Sequence, residues 1–168
     1  AEAAKLGTLL FIHPTTPIAM GGLEDYRLVP MLGFTLDTSL AVIRLIYSGV
    51  FDKYPSLKLV ASHLGGVLPY LVGRIDMGYE RYPECKPLIK KPPSEYIKRV
   101  WVDSICYNKN VLMCGYSLLG PDKIVLGSDF PMGISDFEMA VKRIKDLEIS
   151  EEDKEKILGE NAKGLLGL

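Results

Sequence analysis

The sequence predicts an α/β fold in which four strand-then-helix units lie on one parallel sheet, and three observations carry that prediction. Four short apolar runs, TLLFI at Thr8–Ile12, LKLVAS at Leu57–Ser62, VWVDS at Val100–Ser104 and KIVL at Lys123–Leu126, are continuous rather than alternating. Strands covered on both faces read this way. Each run stops at a polar or turn-forming residue, and a helical period follows it. Four such units fit into about 160 residues, with crossovers long enough for right-handed βαβ connections. A doubly wound sheet satisfies that count, and so does half of an eight-stranded barrel.

The chain has 168 residues, 48% of them hydrophobic and 24% charged, which reads as one globular domain over residues 1–168. A formal net charge of -1 with both signs dispersed leaves no footprint for a nucleic-acid or anionic-membrane partner. The start AEAAKLG has neither the basic opening nor the apolar core of a signal peptide, and no uninterrupted apolar run nears the roughly 20 residues that cross a bilayer. The expectation is a cytoplasmic protein. Cys85, Cys106 and Cys114 are odd in number and form no CxxC pair, against a disulfide framework or a cysteine zinc site. They are expected to pack as small thiols.

In chain order, Ala1–Leu6 reads as the tail of a helix, with Gly7 where a left-handed cap is needed. A domain rarely opens on a helix end, so residues preceding Ala1 are expected. The first strand ends at His13-Pro14, and the Gly- and Pro-rich stretch from Thr15 to Phe34 reads as a long irregular loop that shapes a pocket. Asp37 is expected to cap a helix over Thr38–Tyr47 with Leu40, Ala41, Ile43, Ile46 and Tyr47 as its apolar face and Gly49 as its stop. The second strand ends at His63, followed by Leu64, Gly65 and Gly66 and then a helix over Val67–Tyr79. Four prolines between Arg81 and Ser94 deny that segment regular structure. The third strand ends in Asp103 and Ser104, and Asn110–Leu119 is a helix stopped by Gly120-Pro121. After KIVLGSDFP, Ser135 and Glu138 have capping-box spacing before a helix with Phe137, Ala140, Val141, Ile144 and Leu147 on one face. A last helix follows Ser150, with Ile157, Leu158, Ala162, Leu165 and Leu166 on its apolar side.

The strand ends carry His13, His63, Asp103 and Asp129, and the chain has no other histidine. The carboxyl ends of parallel strands converge on one face, where imidazole and carboxylate are good ligands for zinc, manganese or iron. Asp103 has a second reading of equal standing, since Asp-Ser after a strand is also a helix-entry signal. No GxSxG elbow, GxxxxGK[ST] loop or GxGxxG after a strand is present, so serine-hydrolase, phosphate-loop and dinucleotide chemistries lack their residues.

LLFIHP, the stretch LDTSLAVIRLIYSGVFDKYPSLKLVASHLGGVLPYLVGRID, KKPPSEYIKRVWVD, KIVLGSDFP and ILGENAKGLL together resemble the amidohydrolase superfamily. Within it they resemble the metal-dependent decarboxylases typified by aminocarboxymuconate semialdehyde decarboxylase and the resorcylate-type enzymes. The resemblance spans the whole chain. It implies a (β/α)₈ barrel of TIM type, of which this chain supplies roughly the last four β/α units, with one divalent metal at the carboxyl end, zinc ahead of manganese. It also implies roles: His13 of the HP motif and Asp129 of the GSDxP motif as metal ligands, and His63 of the HxGG motif as the catalytic histidine. The same resemblance implies a second role for Asp129, as proton carrier. Arg74, eleven positions after His63, matches an arginine that reaches a substrate carboxylate, in some relatives across a dimer interface. Pairing of Arg74 with Asp76 or Glu80 is the structural alternative.

The family's first strand ends in an HxH or ExH pair that this sequence lacks, as it lacks the first four strands. Half a barrel leaves two open strand edges, so the remainder is expected from omitted or removed residues, another chain or a second copy. The implied activity is non-oxidative decarboxylation of a small unsaturated or aromatic carboxylic acid by a homodimer. The alternatives are metal-dependent hydrolysis of a lactone or amide, and a catalytically incomplete half-barrel.

Overall fold

The computed structural model describes residues 1–16 and 21–168. Four strands, β1 (Leu9–Ile12), β2 (Lys58–Ala61), β3 (Trp101–Asp103) and β4 (Ile124–Val125), form one sheet in the order β1-β2-β3-β4. All three pairings are parallel, with Leu10 opposite Leu59, Ala61 opposite Val102 and Asp103 opposite Val125. A doubly wound sheet reverses its strand order at a switch point. Here order in the sheet follows order in the chain, which is how a barrel is wound.

The opening helix α1 (Glu2–Leu6) ends on Gly7 at φ 65, the left-handed cap its sequence predicts. The helix after β1 differs from expectation. A π-helical turn over Val29–Gly33 runs directly into α2 (Phe34–Tyr47), so the end of the expected loop, Val29 to Phe34, is helical. Pro30 is tolerated because it stands in the first turn, where no intrahelical N–H is needed. The wider π turn also breaks the 3.6-residue period by which the sequence would reveal a helix. Asp37 therefore lies inside the first turn of α2 and does not cap it. Residues 17–20 of the expected loop lie outside the described residues.

The buried face of α2 is Thr38, Ser39, Val42 and Ile46, and Leu40 is exposed. The helix is largely apolar, so composition leaves its rotation open, and the small Ser39 lets it approach the turn after β2, where Ser39 Oγ meets the Gly65 carbonyl and the Val67 N–H. The run Val29–Tyr47 is long and apolar enough to cross a membrane by length and composition. It is tied into the fold through Ser39, whose hydroxyl donates to the Thr35 carbonyl at 2.7 Å and accepts the Val67 N–H at 2.9 Å.

Further along come α3 (Val50–Lys53), α4 (Leu68–Arg81), α5 (Pro93–Ile97), α6 (Lys109–Leu119), α7 (Phe137–Lys145), α8 (Glu151–Glu155) and α9 (Asn161–Leu166). Two caps were legible in the sequence to different degrees. Ser150 caps α8 as its position implies, accepting from the Asp153 N–H. The cap of α7 is Asp136 rather than Ser135, because its carboxylate accepts the Met139 N–H and pairs with Arg143, a stronger bond than a hydroxyl makes.

The helices cover one face of the sheet in two clusters. Val42, Ile46, Phe51, Leu59, Ala61 and Ile97 pack beneath β1 and β2, and Leu64, Val102, Leu112, Ile124, Ile144 and Ile157 beneath β3 and β4. On the other face Val60 and Val125 meet Leu165 of α9. Leu9 of β1 packs against that cover, but Leu10 and Phe11 of this edge strand are 40% and 52% exposed, so β1 is not the buried strand its sequence predicts. Phe137 and Leu166, expected on buried helix faces, are also exposed.

Between β2 and α4 the chain makes four left-handed residues in succession, His63, Leu64, Gly65 and Gly66. A Cβ on Gly66 would lie 2.1 Å from the Thr35 carbonyl oxygen and 2.4 Å from Ser39 Oγ. Gly66→Ala is expected to lower stability by well over the roughly 1–3 kcal/mol of left-handed strain alone. Gly7→Ala, with the same φ sign and open space around it, is expected to show the strain without the clash. Urea denaturation of both variants measures the difference.

Candidate metal centre

Three polar strand ends converge. His13 follows β1, His63 follows β2, and Asp129 lies four residues beyond β4. Asp129 Oδ1 is 3.4 Å from His13 Nε2 and 3.6 Å from His63 Nε2, and one ligand atom from each residue lies within 4.8 Å of the others. Two donors on one tetrahedral ion at roughly 2.1 Å stand about 3.4 Å apart. The donor spacing therefore fits a single ion, and two imidazoles with one carboxylate suit zinc or manganese. Burial is graded across the cluster, with side-chain exposures of 39% for His13, 11% for His63 and 6% for Asp129, so the open side is at His13.

Local structure aims each group. Phe11 stacks on the His13 ring at 6.4 Å and an interplanar angle of 14°. His63 and Asp129 both adopt left-handed backbone, at φ 55 and 60, which turns the chain sharply at the strand end. Ser62 Oγ lies 3.2 Å from His63 Nδ1 and is fully buried, which engages that nitrogen and leaves Nε2 toward Asp129. This is the kind of outer contact that orients ligating histidines.

Asp103, the fourth strand end, does not join the cluster, nor does it start the next helix, whose cap is Asn108. Its side chain is buried, and Oδ1 accepts the N–H groups of Leu64 and Ile105, both at 3.0 Å. Burial pushes this carboxyl above the usual carboxylate range, while the Leu64 and Ile105 N–H groups pull it back. Asp103 thus clamps the backbone of the His63 turn, a role with no sequence signature because its partners are main-chain groups 39 and 2 residues away.

Arg74 lies exposed on α4, outside the residues that line the cavity at the cluster. Among the described residues it makes no ion pair with Asp76 or Glu80. Asp76 instead accepts the Ser94 N–H at 2.9 Å. The cavity holds about 730 Å³ and is lined by His13, His63 and Asp129, by Arg27 and Tyr107, and by apolar side chains. Sequence reasoning missed both Arg27 and Tyr107, which sit in stretches without a period. One signal was available for Arg27: it is the only basic residue between His13 and Arg44.

Parallel strands in sequential order, helices packed mainly on one face and a two-histidine, one-carboxylate cluster at the carboxyl ends define part of a β/α barrel with a candidate metal centre. The amidohydrolase family model (Amidohydro_2) matches residues 1–168, and the chain belongs to that family. The 2-amino-3-carboxymuconate-6-semialdehyde decarboxylase of Dictyostelium discoideum is 36% identical over 170 residues, covering 99% of this chain and 47% of the relative. A gamma-resorcylate decarboxylase of Polaromonas is 30% identical over 174 residues, covering 94% of this chain and 50% of the relative. Among solved structures, a dihydroxybenzoic acid decarboxylase from Polaromonas with bound manganese and the inhibitor 2-nitroresorcinol superposes with TM-score 0.86 at 27% identity, over 99% of this chain and 52% of that one. The 5-carboxyvanillate decarboxylase of Sphingomonas paucimobilis gives 0.88 at 27% identity, over 98% and 51%. The chain spans about half the length of the curated relatives it matches.

Replacing Asp103 tests the clamp. Asp103→Ala leaves two buried N–H groups without an acceptor and is expected to cost about 2–4 kcal/mol. Asp103→Asn retains an acceptor oxygen and is expected to cost less than half of that. Chemical denaturation gives both values, and manganese titration is expected to show weakened binding only where the His63 turn is lost.

Proposed function

We propose that the protein of which this chain is part or whole is a metal-dependent, non-oxidative decarboxylase of a small unsaturated or aromatic carboxylic acid. The observation that carries the reading is the His13, His63 and Asp129 cluster at the end of an otherwise apolar cavity, in a chain whose similar proteins are named as decarboxylases. His13 and Asp129 hold the ion, with His63 beside them. The donor set suits manganese or zinc, and manganese has the added support of the solved neighbour that carries it. When bound, the ion supplies positive charge to a substrate oxygen at the strand ends.

The residues then have separable tasks. The bond between the carboxylate and its carbon breaks with its electrons left on that carbon, carbon dioxide departs, and a proton must arrive at the same carbon. His63 Nε2 stands 3.6 Å from Asp129 Oδ1 at the cavity wall, with Ser62 Oγ on the far nitrogen of His63, so in this reading one of these two groups delivers the proton to that carbon. The apolar walls exclude water that would compete as proton donor and favour loss of a charged group as neutral carbon dioxide. Residues 1–168 act in this reading as a single domain that supplies the metal-binding half of the barrel. Three free cysteines fit a cytoplasmic setting.

Assembly belongs to the same proposal. Arg74 is exposed, away from its own cavity and unpaired with Asp76 or Glu80 among the described residues, which suits an arginine serving the cavity of a second copy. On this reading, mixed subunits carrying Arg74→Gln and His63→Asn are expected to recover activity that neither variant has alone, measured after co-refolding. Recovery fails if Arg74 acts within its own subunit.

The principal experiment measures carbon dioxide release against lactone opening by the full metal-loaded protein, with metal content determined in parallel. His13→Ala and Asp129→Ala are expected to lose stoichiometric metal. His63→Asn is expected to keep the metal and lose about 10²- to 10⁴-fold in turnover, the range of a lost general acid or base. Lactone opening without carbon dioxide release would replace this reading by the hydrolase one.

A further inference from the structure

We propose that Tyr107 is a specificity-determining residue of the cavity. Its hydroxyl donates a hydrogen bond to an oxygen on the substrate's skeleton, outside the carboxylate that is lost, and Arg143 is its positioning residue. The other polar side chains of the lining are largely spent on the protein itself. His13, His63 and Asp129 face one another. Thr35 Oγ1 donates to the Leu32 carbonyl at 2.9 Å, and the Cys106 thiol donates to the Asn108 carbonyl at 3.5 Å. Tyr107 lines the same space, and among the described residues its hydroxyl has no partner. Outside the cluster it is thus the one uncharged side-chain donor of the lining left for an occupant.

Two sets of contacts hold the phenol in place. Tyr107 stands at φ 56, a left-handed backbone that costs a residue of its shape on the order of 1–3 kcal/mol and persists where the surroundings over-determine it. The next residue fixes that turn: Asn108 caps α6, its side chain accepting the Asn110 and Val111 N–H groups at 2.9 and 3.3 Å. Arg143, which does not line the cavity, lies over the Tyr107 ring with its guanidinium carbon 5.2 Å from the ring centre. An ion pair with Asp136 sets the orientation of Arg143. Asp136 in turn caps α7 and gives its own N–H to the carbonyl of Ser128, the residue before Asp129, at 3.2 Å. Arg143 therefore ties the loop of Tyr107 to the loop of Asp129, and a cation over an aromatic face is attractive enough to restrain the ring. Burial, with the Asp129 carboxylate adding to it, pushes the phenol above its ordinary value, so at neutral pH it keeps the hydrogen it offers. A site built to hydrogen-bond a substrate oxygen discriminates against the analogue that lacks it, because the site's own group is then left unpaired.

The inference deepens the decarboxylase reading and rests on it for the carboxylate that is lost. Its test reads binding rather than turnover. Benzoate and the three monohydroxybenzoates are titrated calorimetrically into the full metal-loaded protein, as wild type and as Tyr107→Phe, Arg143→Met and Arg143→Lys. For at least one hydroxylated isomer, wild type is expected to bind about 3- to 10-fold more tightly than benzoate, the net worth of one hydrogen bond, and Tyr107→Phe is expected to remove that preference. Arg143→Met is expected to lose most of it when Tyr107 is present and nothing further in the Tyr107→Phe background, whereas Arg143→Lys, which keeps a cation over the ring, retains part. The proposal is overturned if no isomer is preferred, if every preference survives Tyr107→Phe, or if none of the four acids binds. A loss from Arg143→Met that persists in the Tyr107→Phe background overturns the positioning role. If carbon dioxide is released without any Tyr107-dependent preference, this inference alone falls. If the preference is found but no acid that binds loses carbon dioxide, the decarboxylase reading falls and the hydrogen-bonding subsite stands.

Discussion

A buried carboxylate holds the active end of this domain together. Asp103 sits at the tip of β3, and one of its oxygens accepts the N–H of Leu64 in the turn after β2 and the N–H of Ile105 in its own strand's exit. Those two bonds join neighbouring strand ends beyond the point where the β-ladder stops. The turn they fix carries His63, so the position of its imidazole depends on a buried carboxylate that is not one of the three clustered groups.

The same turn shows how strain and burial are set against each other. Left-handed backbone at a non-glycine residue costs on the order of 1–3 kcal/mol, and Leu64 is a poor residue for it. Its side chain, however, is 1% exposed and packs with Val102 and Leu112, and complete burial of a leucine is worth about 1.5–3 kcal/mol. The two terms are of similar size. With Asp103 holding the amide and Gly66 admitting the Thr35 carbonyl, the balance tips to the strained form, and His63 is delivered to Asp129. The open side of the cluster, at the half-exposed His13 on edge strand β1, is where the donor set of this chain leaves room for further ligands.

Much of this was legible in the residues alone, and the failures have physical causes. His13, His63 and Asp129 announce themselves because continuous apolar runs end on them, and a strand end is a place where polar side chains need a reason to be. Asp103 announces itself by the same rule but turns inward, since its partners are amides that composition does not reveal. The start of α2 was hidden by its π turn, and its buried face was assigned in part, with Ile46 buried and Ile43 and Tyr47 packed on the core as expected but Leu40 exposed, because a largely apolar helix has little preferred phase until it packs. Arg27 was invisible for a related reason, standing in a stretch with no period to place it.

What the sequence determined by itself was therefore local: four apolar strands, the glycine and proline breaks between them, and which residues stand at the tips. Period and propensity encode those directly, since they depend on neighbours a few positions away. Tertiary structure decided the rest. It chose sequential over reversed strand order, brought His13 within 3.4 Å of Asp129 across 116 positions of chain, and turned Asp103 from ligand candidate to clamp. It also placed Arg27, and not Arg74, in this chain's own cavity. Distances between such remote groups follow from how helices pack on the sheet, and packing is a property of the whole assembly of side chains that no single stretch contains.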